Sequence, residues 1–291
     1  MSRLDVRENV RQRFEFIEFQ LKWEGGVGRK KLQDKFLISP QQATKDLTAY
    51  ADTCPNNMVY DPRRKTYIPT ERFESCFAEG TAAEYLHHLD MISRRHVSVD
   101  ETWINEIPTF EAVNIPSREI RTDTLETILT AIRNKAGVRG RYVSMASDNT
   151  EFRTLFPHAL GCDGHRWHVR AFDFENARYS DFVLSRLMEV ELTKVLDREL
   201  PEDTSWNTHI TVILRPDPSL PAAKAQQLQL EYNMEGGQLH LSVRQAMLFY
   251  YLRNFGFDPR KVKDEVMRNE SSYLLTIENI EEIEKCIGRR G

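Results

Sequence analysis

Residues 157–187 read PHALGCDGHRWHVRAFDFENARYSDFVLSRL, and the alternation in that stretch frames the rest of the chain. Apolar and polar residues trade places with period two, broken at Cys162-Asp163-Gly164 and at Glu175-Asn176-Ala177, which is the pattern of β-hairpins. From Arg166 to Phe172 the period separates two faces. Trp167, Val169 and Ala171 fall on one; Arg166, His168, Arg170 and Phe172 fall on the other. The first is an ordinary core face. The second carries two arginines and a histidine in register, and Arg186 could join them from a neighbouring strand. Such a face suits an anionic partner, or equally a solvated exterior, since Arg is mostly exposed in folded proteins.

On either side of this stretch the pattern stays extended. Gly140 to Ala146 and Glu151 to Pro157 flank a turn at Ser147-Asp148-Asn149, and Met188 to Leu196 follows. A helix from Thr122 to Lys135, with Leu125, Ile128, Leu129 and Ile132 on one side and Ala136-Gly137 closing it, precedes them. Several short strands behind one helix predict a small, strongly bent barrel. Past Pro201 the order is strand His209–Leu214, a break at Arg215-Pro216-Asp217-Pro218, helix Ala222–Leu230, strand Gln238–Val243 and helix Ser242–Phe255. That order describes a separate small α+β domain.

The front of the chain is helical. Val10, Phe14, Ile17 and Leu21, widened by Phe16 and Phe19, mark a helix over Asn9–Trp23 that ends at Glu24-Gly25-Gly26. A short helix from Gly28 to Phe36 puts Leu32 and Phe36 inward and Arg29, Lys30, Lys31 and Lys35 outward. Ser39 as N-cap and Pro40 at the first helical position open a third helix. Ala43, Leu47 and Tyr50 form its buried side; Gln41, Thr44, Lys45 and Thr48 form its exposed side. Two short strands, Met58-Val59-Tyr60 and Thr66-Tyr67-Ile68, follow, joined through Asp61-Pro62-Arg63-Arg64-Lys65. Helix, turn, recognition helix and basic wing together predict a DNA-binding unit. Its expected contacts are Arg29, Lys30, Ser39, Gln41, Gln42, Thr44, Lys45, Thr48, Arg63, Arg64 and Lys65. Another helix is expected from Glu71 to Ile92, with Phe73, Phe77, Tyr85, Leu86 and Leu89 inward, a break near Gly80 and a new cap at Thr81. Residues 98–118 read as an irregular connection.

Composition agrees with a soluble chain of several domains: 291 residues, 40% hydrophobic and 29% charged. Residues 1–70 hold 13 Lys+Arg against 9 Asp+Glu, leaving 27 against 35 for the remainder, so a basic front stands on an acidic body. No apolar run reaches membrane-span length, and the N-terminus lacks an apolar signal region, so a cytoplasmic protein is expected. Cys54, Cys76, Cys162 and Cys286 are scattered without close pairing, as in a reducing compartment. Gly25-Gly26-Val27-Gly28-Arg29-Lys30 lacks the ending of a phosphate loop, and HExxH, GxSxG and CxxC are absent. Cys162, His165 and His168 have ligand-like spacing, but opposite parity sends the two histidines to opposite faces of a hairpin. His158 finds no nucleophile or carboxylate pair at useful spacing. No enzyme, metal or cofactor is expected.

The segments RYVS, FPHAL, RWHVRA and DFVLSRL, together with ISPQQATKDLTAY and YDPRRKTY, resemble the WYL-domain transcription regulators of the BrxR and CapW type. The resemblance covers nearly the whole chain. It implies an α+β multidomain protein: a winged helix-turn-helix over 1–70, a helical linker or dimerisation region over 71–121, an Sm-like WYL barrel over 122–200 and a C-terminal extension domain over 201–291. The Trp-Tyr-Leu motif that names the domain stands here as Trp167-His168-Val169, a departure shared by the branch in which His is usual. By the same resemblance, Tyr142, Ser144, His158, Trp167, His168, Arg170, Phe182 and Arg186 line a ligand pocket. Such proteins act as homodimers on inverted repeats upstream of anti-phage operons of the BREX or CBASS type. They repress until a nucleotide-like or nucleic-acid effector binds. A ligand-dependent activator and a single-strand nucleic-acid binding accessory protein are the competing readings.

Overall fold

The computed structural model describes residues 7–78, 80–145, 150–195, 199–263, 266 and 274–287. The expected turn at Ser147–Asn149 and the strand ends at Ala146 and Leu196 lie outside these residues. The chain forms two compact units, divided between Ile115 and Pro116.

The first unit is built round helix α1, Glu8–Trp23. Phe14, Phe16, Ile17, Phe19 and Leu21 are all buried, a wider arc than a surface helix shows, because α2 (Arg29–Phe36), α3 (Pro40–Thr53) and the segment after residue 71 pack round it. Arg13, Glu18 and Gln20 are buried too, and each is hydrogen-bonded. Gln20 accepts from Lys31 and Asn105 and donates to the Trp103 carbonyl. Glu18 accepts from the Tyr50 hydroxyl and from the backbone N–H groups of Cys76, Phe77 and Ala78. These bonds offset the cost of burying a carboxylate. They also explain why residues 71–78 are not the expected helix: the N–H groups of 76–78 go to Glu18 and that of Glu74 to Asn57 Oδ1, so the helix, α4, starts only at Ala82 and runs to Ser93. Thr81 caps it as expected, accepting from Glu84 N–H. Leu86, expected inward, is 61% exposed.

Ser39 caps α3 through Gln42 N–H, and Ala43, Leu47 and Tyr50 are buried as the spacing requires. Strands β1 (Met58–Asp61) and β2 (Thr66–Pro69) pair antiparallel, with Tyr60 opposite Tyr67. Val27 bridges to β2 as well, exchanging both backbone hydrogen bonds with Tyr67 at 2.8 and 2.9 Å. Gly26 makes that approach possible, since a Cβ there would stand 2.7 Å from the Tyr67 carbonyl oxygen. The thiols of Cys54 and Cys76, far apart in sequence, come within 4.8 Å of each other beside Glu18, so the four cysteines are not all apart.

In the second unit, helix α5 (Thr122–Asn134) covers a five-stranded antiparallel sheet of order β6-β5-β4-β3-β7. Its strands are β3 (Ala136–Val143), β4 (Thr150–Cys162), β5 (Trp167–Asp173), β6 (Arg178–Val183) and β7 (Leu187–Val195). Lys135, in the left-handed region, ends α5, and Ala136-Gly137 opens β3 instead of closing the helix. Ile128, Ala131, Val138, Leu155, Val169, Ala171, Phe182 and Leu187 form the core between helix and sheet. After a single helical turn, α6 (Thr204–Asn207), comes a three-stranded antiparallel sheet of order β10-β8-β9. It is made of β8 (His209–Pro216), β9 (Leu239–Arg244) and β10 (Leu275–Ile277), with helices α7 (Ala222–Glu231), α8 (Leu248–Asn254) and α9 (Ile280–Ile287). The helix expected from Ser242 starts later, because β9 continues to Arg244 and a 3-10 turn over Gln245–Met247 intervenes.

Candidate nucleic-acid interface and buried arginine cluster

Helix α3 presents Gln41, Thr44, Lys45 and Thr48 to solvent, as expected. Thr44 donates its hydroxyl to the Pro40 carbonyl. Two other expected contacts are used internally. Ser39 Oγ is the cap, and Gln42 donates its amide to Asp46 Oδ1 at 2.8 Å. Asp46 in turn holds Arg13, so the far side of α3 is clamped to α1. At the hairpin tip, Asp61 Oδ1 accepts from the N–H groups of Arg63 and Arg64, and Lys65 adopts a left-handed backbone. This folded tip holds three exposed cations together. Arg29, Lys30, Lys45, Arg63, Arg64 and Lys65 are all exposed, and none has an ion-pair partner among the described residues.

Lys31 and Lys35 depart from expectation. Both turn inward, Lys31 to Gln20 Oε1 and the Gly26 carbonyl, Lys35 to the carbonyls of Asp100 and Thr102. Burial pushes the pKa of both ammonium groups down, against the pull of neighbouring acidic residues. They fasten the unit together; only the first half of the basic run on α2 faces outward.

In the second unit the cationic face of β5 is not solvated. His168 is 3% exposed and Arg170 6%. Arg170 donates Nε and Nη2 to the two oxygens of Asp203, at 2.7 and 3.0 Å, and Nη1 to Asp181 Oδ1 at 3.0 Å. His158 Nε2 lies 2.9 Å from Asp203 Oδ2, its ring edge-on to Tyr179 and Trp206. A register shift between Pro157 and Ala159 on β4 lets His158 take that position. Burial alone would raise the Asp203 pKa; hydrogen bonds from His158 and Arg170 hold it well below the usual carboxylate range. A cavity of about 390 Å³ opens beside Arg170, Tyr179, Asp181, Asp203 and Tyr250.

Further along the same face, Asp163 gathers Arg166 and His168. It accepts from the N–H groups of His165 and Arg166, from Arg166 Nε at 3.0 Å and from His168 Nε2 at 3.1 Å. Burial opposes ionisation, but these bonds pull its pKa down to about 2. The His168 ring lies 4.9 Å from that of Tyr250, and its Nδ1 is buried without a hydrogen-bond partner among the described residues.

The eight expected pocket residues therefore do not share one pocket. His158 and Arg170 meet at Asp203, and His168 belongs to the neighbouring Asp163. Tyr142 and Phe182 meet on the opposite face of the sheet, edge-to-face at 5.1 Å. Period two is the cause: β6 sets Asp181 beside Arg170 and Phe182 beside Val169, so Phe182 enters the core. Arg186 precedes Leu187, the partner of Tyr142, so Tyr142, Ser144 and Arg186 gather at one end of β3 and β7. Arg186 has no ion-pair partner among the described residues. Trp167, half exposed, starts β5. Asp203 and Tyr250 were missed. Asp203-Thr204-Ser205-Trp206 does carry an N-cap signal, and Asp203 caps α6 through Trp206 N–H.

Family models divide the chain in the same order. Residues 9–91 match the BrxR transcriptional regulator winged helix-turn-helix domain, 123–192 the WYL domain, and 209–283 the BrxR transcriptional regulator C-terminal dimerization domain. A DNA-binding transcriptional repressor CapW from Stenotrophomonas maltophilia is 34% identical over 283 residues, covering 96% of this chain and 93% of that protein. The chain belongs to the BrxR/CapW family. Its CapW relatives from Pseudomonas aeruginosa, 32% identical over 98% of this chain and 94% of that one, and from Escherichia coli, 34% identical over 86% and 84%, carry the same description. Among solved structures, proteasome accessory factor B/C (PafBC) of Arthrobacter aurescens matches 98% of this chain and 46% of its own, at 14% identity and a TM-score of 0.32. The chain spans about half the length of that protein, and a likeness of this size adds nothing to the family assignment. No helix among the described residues is long and apolar enough to cross a membrane.

Proposed function

We propose that this BrxR/CapW family member is a cytoplasmic, homodimeric DNA-binding repressor of an anti-phage operon, released by an anionic, nucleotide-like effector. The observation that carries the DNA half is the exposed row of Gln41, Thr44, Lys45 and Thr48 on α3, in the same unit as the exposed Arg63, Arg64 and Lys65. Its side chains suit base edges and thymine methyl groups, and the hairpin cations suit phosphates or a minor groove. Arg29 and Lys30 extend the phosphate-facing charge. The names of the CapW relatives support repression, and the match of 209–283 to a dimerization domain supports a two-fold protein on an inverted repeat.

The sensor half rests on His158 and Arg170, which converge on one anionic group, with Tyr179 and Tyr250 bordering the cavity beside them. Tyr142, Ser144 and Arg186 form a second contact region for a longer effector. Footprinting on the DNA upstream of the gene tests the proposal. A protected inverted repeat, lost when the effector is supplied, is the expected result. Absence of any protected site favours a single-strand binding accessory protein. A reporter that falls when the gene is deleted favours an activator.

A further inference from the structure

The anion position at Arg170 is already filled by the chain itself. Two carboxylates engage all three nitrogens of its guanidinium, so an incoming anion can take the two-point position at Nε and Nη2 only by displacing Asp203. The two are not equally replaceable. Asp181 is fixed in β6, where its backbone pairs with Arg170, and it also accepts from the Tyr250 hydroxyl. Asp203 sits in the connector between the two sheets and receives Arg170 in the two-point geometry that a phosphate also accepts. Its Oδ2 lies within hydrogen-bond distance of both His158 Nε2, at 2.9 Å, and Arg170 Nε, at 2.7 Å. A phosphate oxygen at that place would find the same two donors, and the cavity beside it reaches Asp203, Thr204 and Ser205.

We infer that Asp203 is a displaceable internal anion, and that an effector phosphate reaching Arg170 replaces it and unfastens the α6 turn. The inference rests on the sensor reading proposed above and adds how occupancy is transmitted. Asp203 Oδ1 and its carbonyl both receive Trp206 N–H, and the carbonyl also receives Asn207 N–H. Moving the carboxylate therefore removes the cap of α6. Trp206 continues the path. Its carbonyl accepts from Arg244 Nη1 at 2.6 Å, its ring lies under the Arg244 guanidinium, and Gln245 N–H bonds the Thr208 carbonyl. Arg244 ends β9, inside the segment that matches the dimerization domain. An exchange of anions at β5 thus reaches the end of the second sheet through one short turn.

Hydrogen exchange at the amides of Trp206, Asn207 and Thr208 reads this directly in the full-length protein, with the 5′-phosphorylated thymidine dinucleotide as probe. The probe should bind the wild-type protein and speed exchange at these amides. Asp203→Asn should show the fast exchange without probe, and should bind the probe on the order of tenfold more tightly, having lost the competing charge. Asp181→Asn frees the same arginine without touching the connector; it should bind more tightly with the three amides still protected. The wild-type arm needs no variant to fold. Probe binding that leaves exchange at 206–208 unchanged overturns the displacement and leaves the sensor reading intact. Failure of wild-type and both variants to bind overturns both.

Discussion

Arg13 and Asp46 form a two-point ion pair, Nε to Oδ2 at 2.7 Å and Nη2 to Oδ1 at 3.3 Å, that ties the first helix of the head to the helix presenting Lys45. Both side chains are nearly removed from water. Truncating one partner leaves the other buried and unpaired, which costs far more than exchanging both for apolar residues. Asp46→Ala should destabilise the first unit by about 3–5 kcal/mol. Arg13→Met with Asp46→Leu should cost markedly less. Urea unfolding followed by tryptophan fluorescence measures both, and equal losses would remove the ion pair from its place in the fold.

Two classes of lysine on neighbouring helices allow DNA contact to be separated from folding. Lys45→Ala should weaken operator binding about tenfold and reduce the salt slope by about 1, as removal of one phosphate contact does. Lys31→Ala and Lys35→Ala remove the same charge but break contacts to Gln20, Gly26, Asp100 and Thr102. Those variants should lose thermal stability with little change in salt slope. Fluorescence anisotropy at several salt concentrations distinguishes the two patterns.

Asp163 links stability to acid pH. Its folded pKa, about 2, lies below the unfolded value of 3.8. A depressed carboxylate contributes stability above the unfolded value, and that contribution disappears as pH falls from about 4 towards 2. Allowing for screening by water at the turn, the contribution is about 1–2 kcal/mol. Asp203, also depressed, loses stability in the same direction. Thermal melts from pH 7 to pH 2 should show Asp163→Asn to be less stable at neutral pH and less sensitive to acid. A parallel decline in the variant and wild type would count against the assignment.

Gly26→Ala should detach the hairpin from the end of the first helix. The new methyl group would press on the Tyr67 carbonyl oxygen, which receives Val27 N–H. A loss of about 2 kcal/mol is expected, the size typical of local backbone strain, with weaker operator binding because the basic tip loses its support. Exchange protection of Tyr67 N–H is the direct readout; full protection in the variant would contradict it.

The head of the molecule was largely legible from its sequence because its signals are local. Ser39-Pro40 opens α3, Ala43, Leu47 and Tyr50 repeat at helical spacing, and Asp61 to Lys65 marks a turn. The helix expected from Glu71 failed where a distant residue intervened: Glu18 takes three backbone N–H groups of 76–78, which no pattern within 71–80 reveals. The cationic face of β5 shows the same boundary. Alternation correctly placed His168 and Arg170 together. Two of their carboxylate partners, Asp163 and Asp181, stand in the same stretch, five and eleven residues away, but Asp203 lies 33 residues from Arg170 and joins it only when the connector folds back. The spread of Tyr142 and Phe182 to the other side of the sheet follows from strand parity, but only once the register of β6 on β5 is known.

The rung between Val27 and Tyr67 has a mechanical consequence. It joins the hairpin to the connection that follows the first helix, the helix Arg13 clamps to α3, so the hairpin tip and Lys45 are tied to one frame like the two points of a calliper. Built this way, the first unit carries its exposed hairpin cations and the outer row of α3 on one connected frame. In the homodimer proposed above, two such callipers would meet the two halves of an inverted repeat.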